Sequence, residues 1–191
     1  MARRILLDTN SYLRLAEQLH PLLLTTIPGN EGGELWILGE LYKELQSSSR
    51  LRNQFSWTFL PEFVENRKTC RWRLRKDQRE QIESVTDFAL KYSREIGNGA
   101  SPFDIRCLAF GSVLDCPVVT DDKDMTRLGE ALEITVMGTI ALLGIMVRNG
   151  YCNLQQARSL IRYWIAIDDL PPDHREAFRA QFGEEPPDAP Y

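Results

Sequence analysis

Arg4-Ile5-Leu6-Leu7, running straight into Asp8-Thr9-Asn10, decides the fold. A continuous apolar run without alternation is the pattern of a short strand covered on both faces, and the polar triplet is the turn that ends it. The same arrangement recurs at Pro117-Val118-Val119-Thr120, which stops at Asp121-Asp122. Leu35-Trp36-Ile37-Leu38 and Ile134-Thr135-Val136-Met137 are two further strand candidates. Helical patterns separate these runs, over residues 11–24, 40–46, 77–96 and 101–114, and more follow over 140–148, 154–167 and 172–182. Alternating strands and helices predict an α/β protein: a three-layer α/β/α arrangement around a central, mostly parallel sheet. Breakers punctuate it at Pro28-Gly29-Asn30, Gly32-Gly33 and Gly97-Asn98-Gly99. Residues 47–79, with Pro61 among mixed charges and aromatics, give no clear element.

The 191 residues fit one domain, or one domain with an extension. Lys+Arg 23 against Asp+Glu 27 gives a net charge of -4, which excludes a simple DNA-coating protein but not an enzyme with one basic patch. Cys70, Cys107, Cys116 and Cys152 form no C-x-x-C pair, so neither a zinc knuckle nor a disulfide framework is expected. The apolar run Ile5-Leu6-Leu7 is too short for a signal peptide, and residues 134–147 fall short of the ~20 needed to span a bilayer. The expected location is the cytoplasm, with no membrane partner. His20 and His174 stand alone and suggest no role.

Open α/β sheets bind ligands at the carboxyl ends of their strands, and acid collects there. Asp8 follows the first strand directly, and Asp122 follows Val118–Thr120 with Asp121 and Asp124 as rivals. Asp104 lies in the first turn of the helix opened by Ser101-Pro102, where Ser101-x-x-Asp104 also reads as a capping box. Glu44, with Glu40 one turn earlier, lies on the helix after the second strand. Two carboxylates 4 Å apart repel by about 4 kcal/mol at an effective dielectric near 20. Convergent acids therefore keep protons or hold a cation. Oxygen donors with no His or Cys nearby favour Mg²⁺ or Mn²⁺ over zinc. Metal-dependent phosphodiester hydrolysis is the expected chemistry.

In Leu6-Leu7-Asp8-Thr9-Asn10, Glu44-Leu45, Ser101-x-x-Asp104 and Val118-Val119-Thr120-Asp121-Asp122, in that order, the chain resembles the PIN-domain nucleases, including the VapC-type toxins of toxin–antitoxin pairs. The resemblance covers roughly residues 3–140. It implies a Mg²⁺ site of Asp8, Glu44, Asp104 and Asp122 that cuts single-stranded RNA, with Asp124 as an extra contributor and Asn10 and Thr120 in support. It also implies a toxin role, an antitoxin partner and a homodimer. The division it suggests is a nuclease domain over residues 1–140, a helical extension over 141–183, and a Pro-rich, disordered tail over 184–191. The alternatives are a non-catalytic RNA- or protein-binding module and a solitary RNA-processing nuclease. A haloacid-dehalogenase-type phosphatase requires Asp-x-Asp after the first strand, where this chain has Asp8-Thr9-Asn10.

One basic segment stands out: Arg67, Lys68, Arg71, Trp72, Arg73, Arg75 and Lys76, continuing to Arg79. Arginines interleaved with tryptophan suit phosphate contact combined with base stacking, so these residues are the candidate RNA-binding set. If the segment is extended, Arg71, Arg73 and Arg75 share one face. Docking of an acidic partner and a solvated charged loop are the other readings of the same pattern.

Overall fold

The strand that opens the chain lies at the middle of the sheet. The computed structural model describes residues 3–188. Its elements are β1 (Arg4–Leu7), α1 (Thr9–Ala16), β2 (Thr26–Ile27), β3 (Gly33–Trp36), α2 (Leu41–Ser47), α3 (Ser49–Gln54), a 3-10 turn (Ser56–Phe59), α4 (Pro61–Thr69), α5 (Lys76–Glu95), α6 (Pro102–Leu114), β4 (Val118–Val119), α7 (Lys123–Ala131), β5 (Val136–Met137), α8 (Thr139–Arg148), α9 (Leu154–Ala166) and α10 (His174–Phe182). The strand order is β2-β3-β1-β4-β5, parallel throughout except for the β2–β3 pair. The expected α/β class with a mostly parallel sheet is what the chain forms.

Alternation across β1 divides the core. Ile5 and Leu7 face one layer with Leu35, Ile37 and Val119, packed by α1, α8, α9 and α10. Leu6 and Val118 face the other, packed by α5, α6 and α7 through Ile82, Leu108 and Leu128. Helix α6 crosses β4 closely: a Cβ on Gly111 would stand 2.5 Å from the Val118 side chain, so only glycine allows this approach.

Several expectations need correction. The helix over residues 11–24 stops at Ala16. Pro21 cannot continue it, and Leu22 and Leu23 enter the core as irregular chain instead. Strand β2 has only two residues, too few to show a period. Residues 47–79 fold as α3, the 3-10 turn and α4. Residues 141–183, expected as a helical extension packed on residues 1–140, do pack there, within one helical layer: Trp164 and Phe178 are fully buried, and the Trp164 indole donates to the Arg14 carbonyl at 2.7 Å. In the tail expected to be disordered, Glu184 pairs with Arg158 at 2.5 Å and Pro186 is buried, while residues 189–191 lie outside the described residues. Among the described residues, no helix is long and apolar enough to cross a membrane.

Phe178→Ala should lower unfolding free energy by about 3–5 kcal/mol within a single urea transition. A separately folding C-terminal unit would instead leave the main transition in place.

Candidate active site

The chain leaves β1 towards β3 on one side, whereas β4 lies on the other side of β1. The connections diverge there, so the crevice of the sheet opens at the carboxyl ends of β1 and β4. The Asp8 amide continues the ladder onto the Val119 carbonyl at 3.0 Å, which brings Asp8 alongside Thr120.

Three aspartates of the predicted set sit at helix N-termini around this crevice. Asp8 is the N-cap of α1 and accepts from the Ser11 amide at 2.6 Å. Asp122 is the N-cap of α7 and accepts from the Met125 amide at 2.7 Å. Asp104 is the third residue of α6: its Oδ2 accepts from the Ser101 amide at 2.9 Å, and the Ser101 hydroxyl accepts from the Asp104 amide at 3.2 Å. The capping reading of Asp104 is therefore correct, and it is compatible with a second role. Each cap uses one carboxylate oxygen, and the other can serve a ligand. The dipoles of α1, α6 and α7 favour negative charge at these positions.

The acids share one field. Burial pushes the Asp8 carboxyl up to about 6, against the lowering contacts of the Thr120 and Ser11 side chains and the Ser11 amide, and Asp121 raises it further. Burial also raises Asp104, with Asp122 adding to the rise. The enclosed Cys107 thiol is held far above its ordinary value by burial first, then by the charges of Asp8, Asp104, the neighbouring Cys116 and Glu40. Glu44 joins from α2, where its Oε2 accepts from the Thr9 hydroxyl at 2.5 Å, one residue from Asp8.

The rival acids have other partners. Asp121 accepts from Arg14 at 2.7 Å and from both the amide (2.9 Å) and hydroxyl (2.5 Å) of Thr139. Glu40 pairs with Arg106 at 3.0 Å. Asp124 lies against the turn before α6: a Cβ on Gly99 would stand 2.5 Å from its carboxylate, and the Asn98 side chain donates to its carbonyl at 2.8 Å. Among the described residues, no Lys or Arg pairs with Asp8, Glu44, Asp104 or Asp122. Thr120 is buried and its hydroxyl accepts from the Asp122 amide at 3.1 Å, while Asn10 is exposed on α1.

A hard divalent cation suits this donor set, because every candidate ligand is oxygen and two of the carboxyls resist ionisation where they stand. Among the described residues, no three His, Cys, Asp or Glu side chains stand close enough together to hold a metal ion between them.

The basic segment divides in two. Residues 71–75 lie outside any helix or strand, with Arg71, Arg73 and Arg75 exposed and Trp72 and Leu74 half-buried between them. Arg67 and Trp72 need correcting as exposed RNA contacts. Arg67 is 8% exposed and donates to the Tyr12 hydroxyl (3.2 Å) and the Thr58 carbonyl (2.5 Å). Trp72 donates its indole N–H to the Ile37 carbonyl at 2.8 Å and packs on Trp36 with centroids 4.7 Å apart. Lys68, Arg75 and Lys76 remain at the surface beside Glu65, Asp77 and Glu80.

Sequence reasoning missed the contacts that sort these acids: Arg14 with Asp121, Arg106 with Glu40, and Thr9 with Glu44. The partners are 107, 66 and 35 residues apart, so no local pattern announces them.

No family model matches the chain, and no curated protein matches it. Among solved structures it is similar to a crystal structure of FitAcB from Neisseria gonorrhoeae, with 14% identity, coverage of 71% of this chain and 97% of that one, and a TM-score of 0.47. The PIN-family assignment implied by the four motifs is therefore corrected: nothing matches at the level of a family, and this structural likeness is too weak to carry the assignment. The motifs are short, and acids at the carboxyl ends of parallel strands suit any ligand-binding sheet of this topology.

Burial of Asp8 also has a consequence for stability. Below its ordinary value of 3.8 the group is protonated whether folded or unfolded and contributes no difference. Between there and about 6 the unfolded chain ionises first, so folding loses stability as pH rises, by roughly 3 kcal/mol in all. In EDTA, Asp8→Asn should match wild type near pH 3.5 and become the more stable protein above pH 6 in urea titrations.

Proposed function

We propose that this rim hydrolyses phosphodiester bonds of single-stranded RNA with Mg²⁺ or Mn²⁺ held by Asp8, Asp104, Asp122 and Glu44. One observation carries the reading: among the described residues these four acids have no cationic partner, while the adjacent Asp121 and Glu40 are neutralised by Arg14 and Arg106. A fold that pairs the neighbours of a site and leaves the site's own acids unpaired has the electrostatics of a cation site.

A divalent cation, when bound, supplies Lewis-acid polarisation of the phosphate. The chain's own residues do the rest. Asp8 and Asp122 are fixed by their helix caps, so their second oxygens are oriented before any ligand arrives. The Thr9 hydroxyl holds Glu44 towards the same rim. The Thr120 hydroxyl contacts Asp8 and also accepts the Asp122 amide, so it ties the two strand ends to one geometry. Exposed Arg71 and Arg73 offer phosphate contacts beyond the rim. The toxin role, the antitoxin and the homodimer rest on the family resemblance alone and form no part of the proposal.

Cleavage of a mixed single-stranded RNA pool tests the reading. Wild type should cut in Mg²⁺ and not in EDTA, and Asp104→Asn and Asp122→Asn should each lose about 100-fold or more. At the N-cap position of Asp122, Asn caps about as well as Asp, and the side-chain oxygen of Asp104→Asn can still accept the Ser101 amide, so the melting temperatures of both variants should stay near wild type. Metal-independent cutting, or variants as active as wild type, would sink the proposal.

A further inference from the structure

Beyond Trp36, residues 37–39 carry the line of β3 past the rim before α2 begins. Helix α4 and the chain at Cys70 and Arg71 close over them, leaving a cavity of about 230 Å³ walled by Ile37, Leu38, Tyr42, Val64, Cys70 and Arg67. A wider groove of about 360 Å³ continues from it across Gly39 and Arg71 to Arg79 and Arg106. Both lie beside Glu40 on the β3 flank of the acidic crevice, since β3 pairs directly with β1.

Arg67 is 8% exposed in the cavity wall, with its terminal nitrogens donating to the Tyr12 hydroxyl and the Thr58 carbonyl. The remaining walls are apolar, and Tyr42 stands 43% exposed at the mouth. Exposed Lys68 and Arg71 flank the opening. A cavity of about 150 Å³ accepts a benzene ring, so this one is large enough for a heterocyclic base.

We infer that the cavity takes one base of a single-stranded RNA, its ring against Tyr42 and Val64 and its flanking phosphate on Lys68 and Arg71. The inference rests on the phosphodiesterase reading for its substrate class and deepens it, because a base held here is what makes the nuclease prefer one sequence. Single-strand binders commonly combine an aromatic platform with basic phosphate contacts. Here the platform is a pocket instead of an open face, so it discriminates among bases.

The test uses the full chain carrying Asp8→Asn, titrated by fluorescence anisotropy with labelled six-nucleotide oligomers of rU, rC, rA and rG in EDTA. One base should bind about tenfold or more tightly than the weakest. Val64→Trp fills the cavity and should abolish that preference. Tyr42→Ala, at an exposed position that does not endanger folding, should reduce it. Arg71→Glu should weaken all four oligomers alike. No binding, equal binding of all four, or a preference unchanged by Val64→Trp and Tyr42→Ala would overturn the inference. The two readings fail separately. A chain that cuts RNA in Mg²⁺ with an identical pattern after Val64→Trp keeps the nuclease and loses the pocket. A chain that selects a base through the pocket but never cuts keeps the pocket and loses the nuclease.

Discussion

Arg14 holds the architecture together. It is buried at 7% exposure on α1, where it donates to Asp121 at 2.7 Å and to the carboxylate and carbonyl of Asp169, each at 3.0 Å. One side chain thus joins the first helix, the end of β4 and the chain after α9. Buried charges are costly unless partnered, and removing one partner from such a group typically costs about 3–5 kcal/mol. The arrangement is therefore specified as a unit. Thr139 completes it, since its amide and hydroxyl both reach Asp121 and its hydroxyl also reaches Ser11 at 2.9 Å. With Asp121 fixed inwards, the next residue turns outwards, and Asp122 begins α7 at the rim.

The caps and the candidate site use the same side chains. Asp8 and Asp122 each begin a helix and each face the crevice, so their rotamers are set by backbone amides before any ligand arrives. That pre-organisation has a thermodynamic cost. Asp8 is 3% exposed, and burial holds its carboxyl at about 6, so at neutral pH the ionised group opposes folding. An asparagine would cap the helix without this penalty. A residue that destabilises its fold where a neutral isostere would not is what a functional requirement leaves behind.

The parts of the fold that local pattern controls were legible in the sequence. The unalternated runs at Ile5–Leu7 and Val118–Val119 marked the buried strands, and Ser101-Pro102 with Asp104 marked the start of α6. The long helix ends within a residue of its predicted limit, at Glu95 before Gly97. Where tertiary packing decides, the sequence was silent. Leu22 and Leu23 continue the apolar pattern of α1 and are buried, but in irregular chain after Pro21. Arg67 looks like its solvated neighbours Lys68 and Arg71, because nothing local says that α4 turns this one position towards Tyr12. Trp72, set between arginines, reads as a stacking platform until Trp36 and the Ile37 carbonyl are brought to it. Residues 141–183 read as an addition because a helical layer and a helical extension have the same amphipathic pattern.

The choice between Glu40 and Glu44 shows why contacts at a distance, and not motifs, sort the acids of such a rim. Four residues apart, the two lie on neighbouring turns of the same helical surface, and counting from the strand end favours Glu44. Glu40 is near the enclosed Cys107 thiol and feels the same cluster of charge, so proximity alone would favour it. Arg106 decides otherwise: its guanidinium joins Glu40 at 3.0 Å and Glu83 at 2.9 Å, so Glu40 is tied into a bridge between α2, α6 and α5. A carboxylate already neutralised by arginine has less to gain from a divalent cation than one held only by a neutral hydroxyl, as Glu44 is by Thr9. The same distinction separates Asp121 from Asp122. In both pairs one acid meets an arginine, and among the described residues the acid beside it has none.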